Sequence, residues 1–161
     1  MWLAIIVIVA AIVIGVAIGL KQRQANNKLL EEGRMIKRDI SFVETAEVFT
    51  LSGADFERVV NAIRQVDFSG AGVSIEKDSA KQAVMFKAKG WAAQLYRMED
   101  DNGKYSYCFT FTAWQTYRGI PQDHAQMNQL LTAVEKAFLS IDPNTQVQAS
   151  KIKTKTKTSF L

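Results

Sequence analysis

Apolar residues are concentrated at the N-terminus of the chain. Every residue in 2–20 is Trp, Leu, Ala, Ile, Val or Gly, so this run contains no charge and no hydroxyl group. At a rise of about 1.5 Å per residue, a helix of this length matches the thickness of the hydrocarbon core of a bilayer. The pattern therefore predicts a transmembrane helix over 1–20.

Basic residues flank this run on one side. Lys21, Arg23 and Lys28 follow it, and no basic side chain precedes it. The positive-inside rule then predicts a single-pass protein of the cell membrane, a signal-anchor with its N-terminus outside and the rest of the chain cytoplasmic. A cleaved signal peptide is the alternative, but it is disfavoured because the N-terminus lacks a basic region and the apolar run is long.

Small residues recur within the predicted membrane helix. Ala11, Gly15 and Gly19 are spaced four residues apart, which places them on one helical face and lets a second backbone approach closely. This spacing favours helix pairing and a homo-oligomer. The alternative is chance, because Gly and Ala are common in membrane helices.

The next segment, 21–39, reads as a juxtamembrane stalk and linker. It begins with helix-forming residues and has too few large apolar side chains for a coiled coil. The helix is expected to end at Gly33, because glycine is the preferred residue for a helix C-cap.

A domain is predicted over 40–149. Residues 40–51 are rich in β-branched and aromatic side chains, which favours a strand. Ser52 and Asp55 then have the spacing of an N-cap with an acidic residue at N3, followed by apolar residues at helical spacing up to Val66.

Four short β segments follow, over 73–77, 82–89, 91–98 and 104–115. In the last of these, Tyr105, Tyr107, Phe109 and Phe111 alternate with smaller, mostly polar residues, so one face is expected to meet the helices. Extending the alternation places Trp114 on the opposite face.

A second amphipathic helix is predicted over 122–141, because Met127, Leu130, Leu131, Val134 and Phe138 form one stripe. The order β-α-β-β-β-β-α predicts an α+β fold, with both helices on one face of an antiparallel sheet. This order resembles one half of the TATA-binding-protein saddle in topology. No sequence motif of that family accompanies it, so the resemblance implies a fold and no function.

The net charge of +4 is unevenly distributed. Residues 21–43 carry +3, residues 44–149 carry −3, and the basic tail 150–161 carries +4. The acidic domain makes nucleic-acid binding unlikely, and the basic flanks suit a membrane surface or a protein partner.

Catalytic and metal motifs are missing from the sequence. The single cysteine, Cys108, and the single histidine, His124, form no ligand set or nucleophile–base pair with sequence neighbours. The chain is therefore expected to be a non-enzymatic module without metal or cofactor.

The candidate partner surface combines Trp114 with Lys151, Lys153, Lys155 and Lys157. These lysines alternate with Ile and Thr, which suits either an edge strand protected by lysines or a disordered basic tail. The predicted function is a membrane-anchored binding or assembly module that displays an α+β domain to the cytosol for a protein partner. The alternative is a small-molecule or lipid-binding domain with a cavity between sheet and helices.

Overall fold

The computed structural model describes residues 2–66, 68, 72–98 and 104–152, without the side chains of 2–6 and Val9. Its contacts divide the chain into two compact units, Met1–Lys37 and Arg38–Leu161. Most of the predicted basic tail, 150–161, lies outside the described residues.

The first unit is built on helix α1, Trp2–Glu31. Gly33 follows the helix with φ of 64°, and its N–H donates to the carbonyl of Leu30. The N–H of Arg34 donates to the carbonyl of Leu29 at 2.9 Å. These two bonds form a Schellman motif, so the prediction that the helix ends at Gly33 is confirmed.

The apolar side chains of α1 are exposed over the described part of the predicted span. Ile12 and Val13 are each 61% exposed, and the other large residues in 7–20 resemble them. Among the helices of the described residues, none is both long enough and apolar enough to cross a membrane. Side chains are described for only part of the predicted span 1–20, because those of residues 1–6 and Val9 are not among the described ones.

The second unit is an α+β domain with a six-stranded antiparallel sheet. Strand order is β2-β3-β4-β5-β1-β8, and the short strands β6 and β7 pair separately. The predicted order of five strands and two helices is confirmed. The elements are a 3-10 helix Ile40–Glu44, β1 Thr45–Leu51, α2 Phe56–Gln65, β2 Ser74–Asp78, β3 Ala83–Lys87, β4 Trp91–Arg97, β5 Tyr105–Trp114, β6 Thr116–Tyr117, β7 Ile120–Pro121, α3 His124–Ile141 and β8 Gln146–Lys151.

Both α2 and α3 pack on one face of this sheet, as predicted. The space between the layers is filled by fully buried aromatic rings. Phe49 of β1 stacks on Phe138 of α3 with centroids 4.3 Å apart, and the buried Tyr107 hydroxyl donates to the carbonyl of Ala54 at 2.8 Å. This interior therefore combines dense apolar packing with a satisfied polar group.

Two local predictions for 40–55 are wrong. Residues 40–44 form a 3-10 helix rather than a strand, because the Asp39 carboxylate accepts a hydrogen bond from the Ser41 N–H and caps the turn. The α2 N-cap is Asp55, whose carboxylate accepts from the Arg58 N–H at 2.9 Å. Ser52 instead donates from its hydroxyl to Asp142 after α3.

The placement of Trp114 on the face away from the helices is also wrong. In the pairing of β4 with β5, Ala93 pairs with Phe111 but Ala92 pairs with Ala113, so Thr112 is an extra residue in a β-bulge. The bulge reverses the alternation, and Trp114 pairs with the core residue Trp91. Trp114 is therefore half-buried against the core.

The domain extends past the predicted boundary at 149. Gln146–Lys151 forms β8, antiparallel to β1 and at one edge of the sheet. Lys151 is the last residue of this edge strand. Lys153, Lys155 and Lys157 lie outside the described residues.

Candidate functional site

The sheet has one face that neither α2 nor α3 covers. Because side chains alternate along a strand, the residues that point away from the helices follow from the core residues and the register. We call this surface the open face. On β8, β1, β5 and β4 it includes Gln146, Gln148, Ser150, Ala46, Val48, Thr50, Ser106, Cys108, Thr110, Gln94 and Tyr96.

These residues form rows that run across the strands. Tyr96, Cys108, Val48 and Gln148 occupy successive paired positions on the four strands. A parallel row holds Gln94, Thr110, Ala46 and Ser150. Long residues lie at the ends of the first row, and small side chains lie at the centre of both. The open face therefore has its bulkier side chains towards its edges and smaller ones between them.

No charged side chain lies on the open face over these four strands, within the described residues. Charges appear towards the opposite edge, where Glu76 of β2 pairs with Met85 of β3 and its carboxylate accepts from Lys87 at 2.6 Å. A solvated sheet face ordinarily carries charged residues, whereas the centres of protein interfaces are depleted of them. The composition of the open face is thus typical of an interface.

Hydroxyl groups on the open face contact polar groups on neighbouring strands. Thr50 and Ser106 lie opposite each other with their hydroxyl oxygens 3.3 Å apart. A hydrogen bond with Cys108, together with burial, raises the pKa of Tyr96 to about 12. A tyrosine hydroxyl is already neutral at physiological pH at its ordinary pKa, and the raised pKa extends this neutrality to higher pH.

A buried polar cluster lies on the other side of β1, against α3. Arg38 donates to the side-chain oxygens of Asn128, Thr132 and Glu135, with 2.7 Å to Thr132. These three residues are spaced at i, i+4 and i+7, which places them on one face of α3. The cluster joins Arg38, the first residue of the second unit, to helix α3.

Glu47 belongs to the same cluster. It points towards the helices from β1, is only 8% exposed, and has an oxygen, Oε2, without a hydrogen-bond partner among the described residues. Burial, the nearby Glu135 carboxylate and a hydrogen bond with it raise the pKa of Glu47 to about 7, against a lowering effect of Arg38. Two carboxylates beside one guanidinium can hold a proton at neutral pH.

The sequence-predicted site residues lie in different elements. Trp114 is half-buried against the core at the end of β5, and Lys151 is exposed at the end of β8. His124 is exposed at the first residue of α3. In α1, no atom lies within 4 Å of a Cβ added at Gly15 or Gly19, so both positions are open.

Sequence reasoning missed both the open face and the buried cluster. The polar residues alternating with the apolar stripe of β5 indicated the part of the open face that β5 contributes, but its extent depends on which strands lie beside β5. The polar stripe of Asn128, Thr132 and Glu135 was visible at helical spacing. Its partner Arg38 is about 90 residues away in sequence, and no local pattern connects them.

In the described part of the chain, no group of three His, Cys, Asp or Glu residues is arranged to bind a metal ion.

No protein-family model matches the chain, and no curated protein matches its sequence. The fold and its surfaces are therefore the basis for a functional proposal.

Proposed function

We propose that this chain is a membrane-anchored, non-enzymatic binding module that displays its α+β domain at the cytoplasmic face of the cell membrane and docks a protein partner on the open face. The observation that carries this proposal is the absence of charge on the open face over four adjacent strands. A partner of matching chemistry has a surface that is uncharged at its centre.

The anchor in this proposal is supported by the amino-acid sequence of 2–20, which is apolar on all sides of a helix. The exposure of the large apolar side chains in 7–20 supports it as well, because a helix that is apolar all round favours a lipid or protein environment over water. The basic residues that follow the run support the cytoplasmic orientation.

Desolvation explains why an uncharged face suits docking. Removing a charged side chain from water costs free energy that only good pairing offsets, whereas Thr, Ser and Gln need one or two hydrogen bonds. The paired hydroxyls and the neutral Tyr96 are such groups. The alternative function needs a cavity between sheet and helices, and the aromatic rings that fill this space favour the outer face instead.

The test places a charge at the centre of the open face. A photo-reactive amino acid is introduced at Gln94 of the full-length protein, and crosslinked partners are identified in intact cells. We expect Thr110→Lys to reduce the crosslinked product by about tenfold or more, because about 1.4 kcal/mol of desolvation cost corresponds to tenfold in affinity.

Asn61→Lys is the matched control, because Asn61 is exposed on α2 on the opposite side of the domain. It adds the same charge and should leave the crosslink unchanged. Equal crosslinking in the Thr110→Lys variant, with both variants folded, would rule out the open face as the docking surface.

A further inference from the structure

The two edges of the six-stranded sheet differ in how they are protected. Edge strands expose unpaired backbone groups, and charged residues commonly protect them from pairing with other strands. At one edge, β2 carries Glu76, Lys77 and Asp78. At the other, β8 has no charged residue before Lys151, although all six of its residues are exposed. The β8 edge is therefore open to strand addition.

The hydrogen bonds to β1 show which backbone groups of β8 point outward. The N–H of Ile152 donates to the carbonyl of Glu44, which continues the register of β1 with β8. In an antiparallel pair, hydrogen-bonded residues alternate with non-bonded ones. Residues 146, 148 and 150 therefore bond to β1, whereas the N–H and C=O groups of Val147, Ala149 and Lys151 point away from the sheet.

We propose that β8 pairs with β8 of a second copy of this chain, antiparallel and centred on Ala149. In this register Ala149 faces Ala149 of the other copy, and Val147 faces the other copy's Lys151. The outward groups of all three residues then form inter-chain hydrogen bonds. The same patch serves both copies, as a two-fold symmetric dimer requires.

The charge distribution permits a second copy in this arrangement. Each Lys151 lies at the far end of the pair, about 13 Å from its equivalent at four residues of about 3.3 Å each. That separation exceeds the Debye length of about 8 Å at physiological ionic strength, so the lysines repel each other little. Val147, at 46% exposed, gains an apolar contact with the stem of the opposing lysine.

The pairing is expected to be weak without the membrane. Two six-residue edges bury much less than the roughly 1,200–2,000 Å² of a stable interface. Confinement of both copies to one bilayer raises their effective concentration and compensates for the small area. The full-length, membrane-inserted protein is therefore the appropriate sample.

The experiment uses disulfide crosslinking in membranes that contain the full chain with Cys108→Ser. Directly paired residues of the hydrogen-bonded type have Cα atoms about 5.5 Å apart, which is within the range of a disulfide. We expect Ala149→Cys to give a product of twice the chain mass under mild oxidation. Ser74→Cys, exposed on β2 at the other edge, is the control and should give about a fifth of that product or less.

A second pair of variants tests the register. Two differently tagged copies are co-expressed, and their association is measured by co-purification in mild detergent. Ala149→Glu places two carboxylates opposite each other and should reduce association about fivefold, whereas Val147→Glu places a carboxylate opposite Lys151 and should preserve it.

Equal crosslinking at Ala149→Cys and Ser74→Cys would overturn the proposal, as would equal loss in the two glutamate variants. A crosslinked product of any mass other than twice that of the chain would show that a different protein occupies this edge. Docking of a partner on the open face is tested separately, by crosslinking at Gln94 on β4. A negative result for pairing of β8 therefore leaves that test unaffected.

Discussion

At the scale of single residues, Glu47 has the most unusual environment in the domain. It faces Arg38 and Glu135 from the middle of β1, and its neighbours on the adjacent strands, Phe109 and Ala149, carry no charge. Its pKa is raised from an ordinary 4.5 to about 7. The folded protein thus binds a proton that the unfolded chain releases between these two pH values.

The sign of the resulting pH dependence follows from linkage. Between pH 4.5 and pH 7 the folded state holds more protons than the unfolded state, so the free energy of unfolding falls as the pH rises. We expect the wild type to lose on the order of 1–3 kcal/mol from this group between pH 5 and pH 8. Glu47→Gln, which is neutral at every pH, should lack this loss.

Chemical denaturation of the full-length protein in detergent at pH 5, 6.5 and 8 measures the difference between wild type and Glu47→Gln. Groups outside this cluster contribute equally to both proteins, so the difference reports the titration of the interacting Glu47 and Glu135 carboxylates. An equal slope with pH in the two proteins would contradict the raised pKa.

At the scale of secondary-structure elements, the helices and the order of the strands could be predicted, because each has a local pattern of apolar residues. The bulge at Thr112 could not, because its register depends on β4 and the alternation in β5 continues past it in sequence. The strand β8 was also missed. Its sequence, Gln-Val-Gln-Ala-Ser-Lys, has little apolar character because neither of its faces is buried.

The bulge leads to a prediction for Trp114. Because Trp114 packs against the core, Trp114→Ala should lower the free energy of unfolding by about 1–3 kcal/mol, less than for a fully buried tryptophan. Tyr117→Ala is a suitable control, since Tyr117 is 63% exposed and its truncation should change stability by less than about 0.5 kcal/mol. Equal effects in urea denaturation would contradict the packing of Trp114.

The small residues of α1 lead to a second prediction at this scale. No atom lies near an added Cβ at Gly15 or Gly19, so a larger side chain there fits within one chain and clashes only with a paired helix. If α1 self-associates along Ala11, Gly15 and Gly19, Gly15→Ile with Gly19→Ile should reduce helix–helix association in membranes severalfold.

Ala10→Ile with Ala17→Ile is the matched control, because these positions lie on the opposite side of α1. Association is measured with a membrane two-hybrid assay of the isolated α1 segment and with crosslinking of the full chain. Equal signals from the two double variants would mean that this face does not pair.

At the scale of the whole molecule, charge and hydropathy are divided along the chain. The apolar run, the basic stalk, the acidic domain and the lysine-rich C-terminal segment occur in that order, and each was evident from the sequence. The candidate site was not, because the open face places β1 and β8, from opposite ends of the domain sequence, beside the consecutive strands β4 and β5. The sequence therefore supported a proposal about location, whereas the folded domain was needed for a proposal about binding.

The central claim is that the protein is anchored in the membrane with its α+β domain on the cytoplasmic side. This arrangement determines which partners the open face can contact. It is tested by a protease-cleavable tag placed after Leu161 in intact cells, before and after the membrane is permeabilised. The account predicts that the tag is protected until permeabilisation and that the protein sediments with membranes. Cleavage of the tag in intact cells would contradict the orientation, and recovery of the protein in the soluble fraction would contradict the anchor.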